Sequence, residues 1–95
     1  MTVETDITAN CSPRLPRGVR LRHDRVRDRW VLLAPERIFE LDEIGLEILK
    51  RCDGSTTVEE MSAALAVTFA ASPEEVRPDV EAFLKDFADK RVVDL

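Results

Sequence analysis

The stretch from Leu32 to Gly54, LLAPERIFELDEIGLEILKRCDG, constrains the fold more than any other part of the chain. An apolar run gives way to a turn at Pro35-Glu36, then to a short alternating segment, then to helical spacing that stops at Asp53-Gly54. Strand chemistry and helix chemistry therefore meet in one passage. The alternating segment Arg37–Leu41 has no further strand to pair with until the last few residues, so it is expected at an exposed sheet edge. The helical half places Ile44, Ile48, Leu49 and Cys52 in an apolar stripe that other helices must cover.

Upstream, Gly18 releases the chain into a segment in which Val19, Leu21 and His23 alternate with Arg20, Arg22 and Asp24, the pattern of a half-buried strand. Trp30 to Ala34 is continuously apolar, which suits a central strand covered on both faces or one whose outer face meets a partner. Pro35 has no N–H to give to a ladder and ends it. Downstream, Asp42 is placed to cap a helix reaching about Cys52, with Asp53-Gly54 as its stop. Thr57 and Glu60 form a capping box ahead of a helix carrying Val58, Met61, Leu65 and Phe69. Ser72 and Glu75 repeat the device, with Pro73 at the first helical position. The helix that follows shows Val76, Val80, Phe83, Leu84 and Phe87, and Pro78 inside it is expected to kink it. Arg91–Leu95 reads as a last strand or an extended tail. The fold class expected is α+β and winged helix-turn-helix-like, a three-stranded antiparallel sheet followed by three helices. Residues 1–14 are expected to be a flexible N-terminal tail, and residues 15–95 the domain.

A chain of 95 residues is one small domain, with no volume for a deep cofactor cavity. Its formal charge of −5 hides an asymmetry. From Pro13 to Arg29 there are seven arginines against Asp24 and Asp28; from Trp30 onward there are seven basic and fifteen acidic residues. A basic hairpin is thus set on an acidic helical body, a pattern that bears on partners rather than on fold. Two cysteines far apart, Cys11 and Cys52, argue for a reducing, cytoplasmic setting rather than a disulfide framework. The first twelve residues lack the pattern of a signal peptide, and no apolar run approaches the roughly 18 residues of a membrane span.

Residues able to do chemistry are scarce. His23 is the only histidine and lies on a strand face with Val19 and Leu21, with no second ligand at metal-binding spacing. The three glycines, Gly18, Gly45 and Gly54, are isolated and build no phosphate-cradling loop. Glu59-Glu60 and Glu74-Glu75 are explained by helix N-termini. No catalytic residue, metal or cofactor is expected, and the chain is not expected to be an enzyme. A winged-helix DNA-binding regulator is the alternative, but the stretch from Thr57 to Ala71 holds two glutamates and no basic residue, a face that would repel a duplex. Peptide binding fits better: an uncovered strand at Arg37–Leu41 offers main-chain donors and acceptors, and the third helix, with Phe83 and Phe87, would form the other wall.

The run PRLPRGVRLRHD, then LLAPE, then L-x-x-x-G-x-x-I-L over Leu41–Leu49, then CDG at Cys52–Gly54, then V-x-x-D-V-x-x-F-L over Val76–Leu84 resembles the coenzyme PQQ synthesis protein D family, PqqD. The likeness spans about Pro13 to Leu95 and rests on the order and spacing of motifs that are individually weak. It implies a recognition element for a ribosomally made precursor peptide, PqqA, which the family presents as a chaperone to the radical SAM enzyme PqqE in pyrroloquinoline quinone biosynthesis. It implies that the peptide adds as a strand beside the third helix. Carried onto this chain, Arg37, Ile38, Phe39, Glu40 and Leu41 would form the edge, and Val80, Phe83, Leu84 and Phe87 the helix wall. Nucleic acid and membrane are not expected as partners, and an exposed edge is compatible with a monomer and with an edge-paired or swapped dimer.

Overall fold

The computed structural model describes residues 10–95. Three strands, β1 (Arg20–Asp24), β2 (Arg29–Ala34) and β3 (Arg37–Glu40), precede three helices, α1 (Glu43–Lys50), α2 (Val58–Thr68) and α3 (Pro73–Asp89). The strands form one antiparallel sheet in the order β1-β2-β3, the architecture the pattern predicts. Local chemistry sets each corner. The Asp24 carboxylate accepts from the N–H groups of Val26 and Arg27 at 3.0 and 3.4 Å and folds the first hairpin. Pro35 and Glu36 make the two-residue second hairpin, in which Glu36 takes a left-handed φ of 62° to bring Ala34 opposite Arg37.

Cross-strand register assigns the two faces of the sheet. Leu21, Leu32 and Phe39 lie in one row and belong to the core, whereas Arg22, Val31 and Glu40 lie in a row on the opposite face. The unbroken apolar run of β2 is thus split: Leu32 enters the main core, and Val31 is shielded on the outer face, apart from that core.

All three helices are capped as the sequence predicts. Asp42 accepts from the Gly45 N–H at 2.8 Å, and both capping boxes, Thr57 with Glu60 and Ser72 with Glu75, are complete. Ile48, Leu49, Val58, Met61, Leu65, Val80 and Leu84 close the core between the helices and Leu32. α3 runs through Pro78 as one helix of 17 residues. The N–H that Pro78 lacks would have bonded to the carbonyl of Glu74, which lies in the exposed first turn of the helix where water can take its place.

Both ends of the described chain make contacts with the body, and of the two readings of Arg91–Leu95 the last strand is not formed. Of the expected flexible tail, residues 1–9 lie outside the described residues, while Cys11 to Arg14 are tied to the body. The Val58 and Gly54 N–H groups donate to the carbonyls of Cys11 and Pro13, and Arg14 exchanges two main-chain bonds with Asp94 at 2.9 and 2.8 Å. Pro13 is fully buried. Residues 92–95 form no strand of the sheet; Val92 and Val93 are buried, and Asp94 bridges to Arg14 rather than to β3.

Candidate functional site

Asp94 pairs with Arg14, and among the described residues β3 has β2 as its single strand neighbour and its other side is unpaired. Which groups it offers follows from the ladder. The Leu41 N–H donates to the Trp30 carbonyl at 3.1 Å. Bonded and non-bonded pairs alternate in an antiparallel ladder, so Arg37 and Phe39, in the same phase as Leu41, also turn their main-chain groups to β2. Ile38 and Glu40 are left with N–H and C=O directed away from the sheet. Of the five residues expected on this edge, these two carry its free main-chain groups.

Side chains alternate with the opposite sense. Phe39 faces α3, its ring 5.5 Å from that of Phe87, and Phe87 stacks on Phe83 at 4.2 Å with 19° between planes. Phe39, Leu41 and Phe83 are half-buried, so an aromatic strip reaches the surface where β3 meets α3. Arg37 closes one end of that strip: its guanidinium donates to the Lys90 carbonyl at 2.8 Å and lies 5.4 Å from the Phe39 ring centre. The Lys90 ammonium, paired with Asp86 at 2.6 Å, lies 5.5 Å from the Phe87 ring centre. Val80 and Leu84 are both at 0 % exposure, so these two expected wall residues hold α3 in the core and present no surface in this conformation.

Two contributors were not singled out as site residues from the sequence. Gly45 lets α1 approach Phe83, since a Cβ there would come within 2.9 Å of the ring edge and of the Asp42 carboxylate. Its place in the L-x-x-x-G spacing was the available signal. The Lys90 carbonyl carried no signal, because it is held by an arginine 53 residues away.

The His23 Nε2 is 3.1 Å from an Asp28 carboxylate on the exposed hairpin. Burial pushes the Cys52 thiol up to about 12, and its Sγ lies 3.3 Å from the Ile48 carbonyl. The Arg51 guanidinium hydrogen-bonded to Glu47 holds that carboxyl below its usual range, and the N–H groups of Ser55 and Thr56 do the same for Asp53. Among the described residues no group of three side chains could hold a metal ion.

Fold and site together define a small winged-helix-like α+β domain whose sheet, among the described residues, ends on an unpaired strand against an aromatic helix face. The chain belongs to the coenzyme PQQ synthesis protein D (PqqD) family, whose model matches residues 29–93. It is 48% identical over 84 residues to the PqqA binding protein of Rhodopseudomonas palustris, covering 88% of this chain and 82% of that one. It is also 48% identical over 82 residues to the bifunctional coenzyme PQQ synthesis protein C/D of Methylorubrum extorquens, covering 86% of this chain and 22% of the relative. Among solved structures, the solution NMR structure of the PqqD truncation of Methylobacterium extorquens PqqCD, described as a functional, stand-alone recognition element for ribosomally synthesized and post-translationally modified peptides, superposes with a TM-score of 0.83 at 44% identity. That superposition covers 96% of this chain and 97% of the other. The crystal structure of PqqD from Xanthomonas campestris gives a TM-score of 0.59 at 41% identity, covering 99% and 100%.

Proposed function

We propose that this chain is a non-catalytic peptide chaperone of pyrroloquinoline quinone biosynthesis, which binds the precursor peptide PqqA by strand addition to β3 and presents it to the radical SAM enzyme PqqE. The observation that carries the reading is the β3 edge, unpaired among the described residues, with the main-chain groups of Ile38 and Glu40 turned outward beside the Phe39, Phe83 and Phe87 rings. An extended peptide would exchange main-chain bonds with Ile38 and Glu40, and every second side chain of the guest would rest on the aromatic strip. Affinity comes from the backbone; selection comes from what fits on the rings. Names of relatives that record PqqA binding support the identity of the guest. Cytoplasmic placement is part of the same proposal.

Titration of the labelled chain with PqqA tests it. The amides of Ile38 and Glu40 and the rings of Phe39, Phe83 and Phe87 are expected to shift together, and shifts confined to α2 would contradict strand addition here. Presentation is tested separately, by asking whether peptide crosslinking by PqqE requires the chain and is lost with an edge variant that no longer binds PqqA. A DNA-binding role gains no support: the first turn of α2 carries Glu59 and Glu60 and its last turn holds no basic residue.

A further inference from the structure

The far side of the sheet carries a second feature, separate from the β3 edge and its aromatic strip. An open concavity of about 1070 Å³ lies there, and every residue lining it falls between Arg22 and Glu40, so no helix contributes. Its floor is apolar. Val31 is 6% exposed, Leu33 is half-buried, and Ile38 and Val26 stand out at 68% and 94% exposure. Its rim is cationic, from Arg22, Arg25 and Arg27, with Arg20 in the neighbouring row opposite Leu33.

The acids on this side are already engaged. Glu40 pairs with Arg29 at 2.9 Å and Arg27 at 3.6 Å, and Asp24 accepts the main-chain N–H groups that shape the hairpin. Arg20, Arg22 and Arg25 have no ion-pair partner among the described residues. Unbalanced cations around exposed aliphatic side chains, on a chain of net charge −5, make a surface complementary to negative charge that carries an apolar group. A phosphate backbone would use the arginines but leave the aliphatic floor wet, and it would meet the acidic helical body beyond them.

The geometry points to a second docking surface on this outer face, which takes an acidic segment of a partner protein with an aliphatic anchor seated between Val31, Leu33 and Ile38. It does not depend on the reading of the β3 edge, because side chains on this face alternate with those facing α3. The partner is held by charge at the rim and by apolar contact at the floor, leaving the edge free for a peptide at the same time.

The test is an NMR titration of the full chain with an N-acetylated polyglutamate peptide bearing one central leucine, and with the same peptide lacking the leucine. The leucine peptide is expected to shift the methyls of Val31, Leu33 and Ile38 and the side-chain N–H signals of Arg22 and Arg25. It should bind several-fold tighter than the all-glutamate peptide. An Arg22→Glu/Arg25→Glu double variant, whose changes lie on exposed hairpin positions, should bind it about tenfold or more weakly while keeping its affinity for PqqA. Shifts at Phe39, Phe83 and Phe87 instead, unchanged binding by the double variant, or no binding overturns the surface. Duplex DNA binding these arginines as tightly at physiological salt, or self-association broadening the same methyls without peptide, would assign the face to another occupant and overturn it equally.

Discussion

If the β3 edge receives a peptide strand, replacing Ile38 by proline should weaken binding strongly while leaving the domain folded. The Ile38 N–H faces away from β2, so proline removes no bond of the sheet, and edge positions of this kind accept it. The guest is affected differently. Its carbonyl opposite residue 38 loses a donor, and leaving such a group unsatisfied costs about 1–3 kcal/mol. The ring also occupies the space of the missing hydrogen and holds the guest strand off the neighbouring Glu40 bonds. A combined loss of about 2–3 kcal/mol corresponds to roughly thirty- to hundredfold in affinity. Ile38→Ala is the control, because that side chain is 68% exposed on the outer face and its loss should change PqqA affinity no more than about twofold. Phe39→Pro is the opposite control: it removes a bond to β2 and should destabilise the sheet itself. Isothermal titration with PqqA, with heteronuclear spectra to verify folding, separates the three. Equal affinities for folded Ile38→Pro and Ile38→Ala would refute edge recognition, and unfolding by Ile38→Pro would refute the assigned ladder phase.

Phe87→Ala removes the ring that joins Phe39 to Phe83 at 8% exposure, and chemical denaturation should show a loss of about 3–4 kcal/mol together with weakened PqqA binding. Gly45→Ala should be net destabilising by about 1 kcal/mol despite alanine's higher helix propensity, because its Cβ would press on Phe83 and Asp42 at 2.9 Å; a displaced Phe83 ring signal would identify the cause. Thr57→Ala should cost about 1 kcal/mol in the same denaturation assay, by opening a capping box. For Cys52, burial raises the folded pKa to about 12, above the roughly 8.5 of an unfolded thiol, so its contribution is fully present below that lower value and is lost as pH rises toward 12. In a thiol-reagent assay at neutral pH, Cys52 should react only on unfolding, and fast native-state labelling at that position would contradict the burial.

Periodicity and end signals made the element order legible before any coordinates. Alternation at Arg20–Asp24, the proline turn at Pro35, and the caps Asp42, Thr57 and Ser72 are local chemistry, decided by side chains within a few residues of the backbone groups they satisfy. The open edge was expected for a related reason, since the sequence after Leu41 turns helical and offers extended residues only at Arg91–Leu95. Family membership was legible from the order and spacing of motifs that are individually weak, and the family model matches residues 29–93.

What the tertiary structure alone decided depends on partners far apart in sequence. Arg14 captures Asp94, which ties down part of the expected tail and keeps the C-terminal residues off β3. Ladder phase, set by the pairing of Leu41 with Trp30, turns the main-chain groups of Ile38 and Glu40 away from the sheet, and packing withdraws Val80 and Leu84 from the surface while leaving Phe83 at its margin. The apolar run of β2 left open whether a second layer or a partner covers its outer side, and none of the three helices of the described residues lines the concavity there. A helical or alternating pattern states which residues share a face; only the three-dimensional neighbours of that face determine whether it is core, groove or open surface.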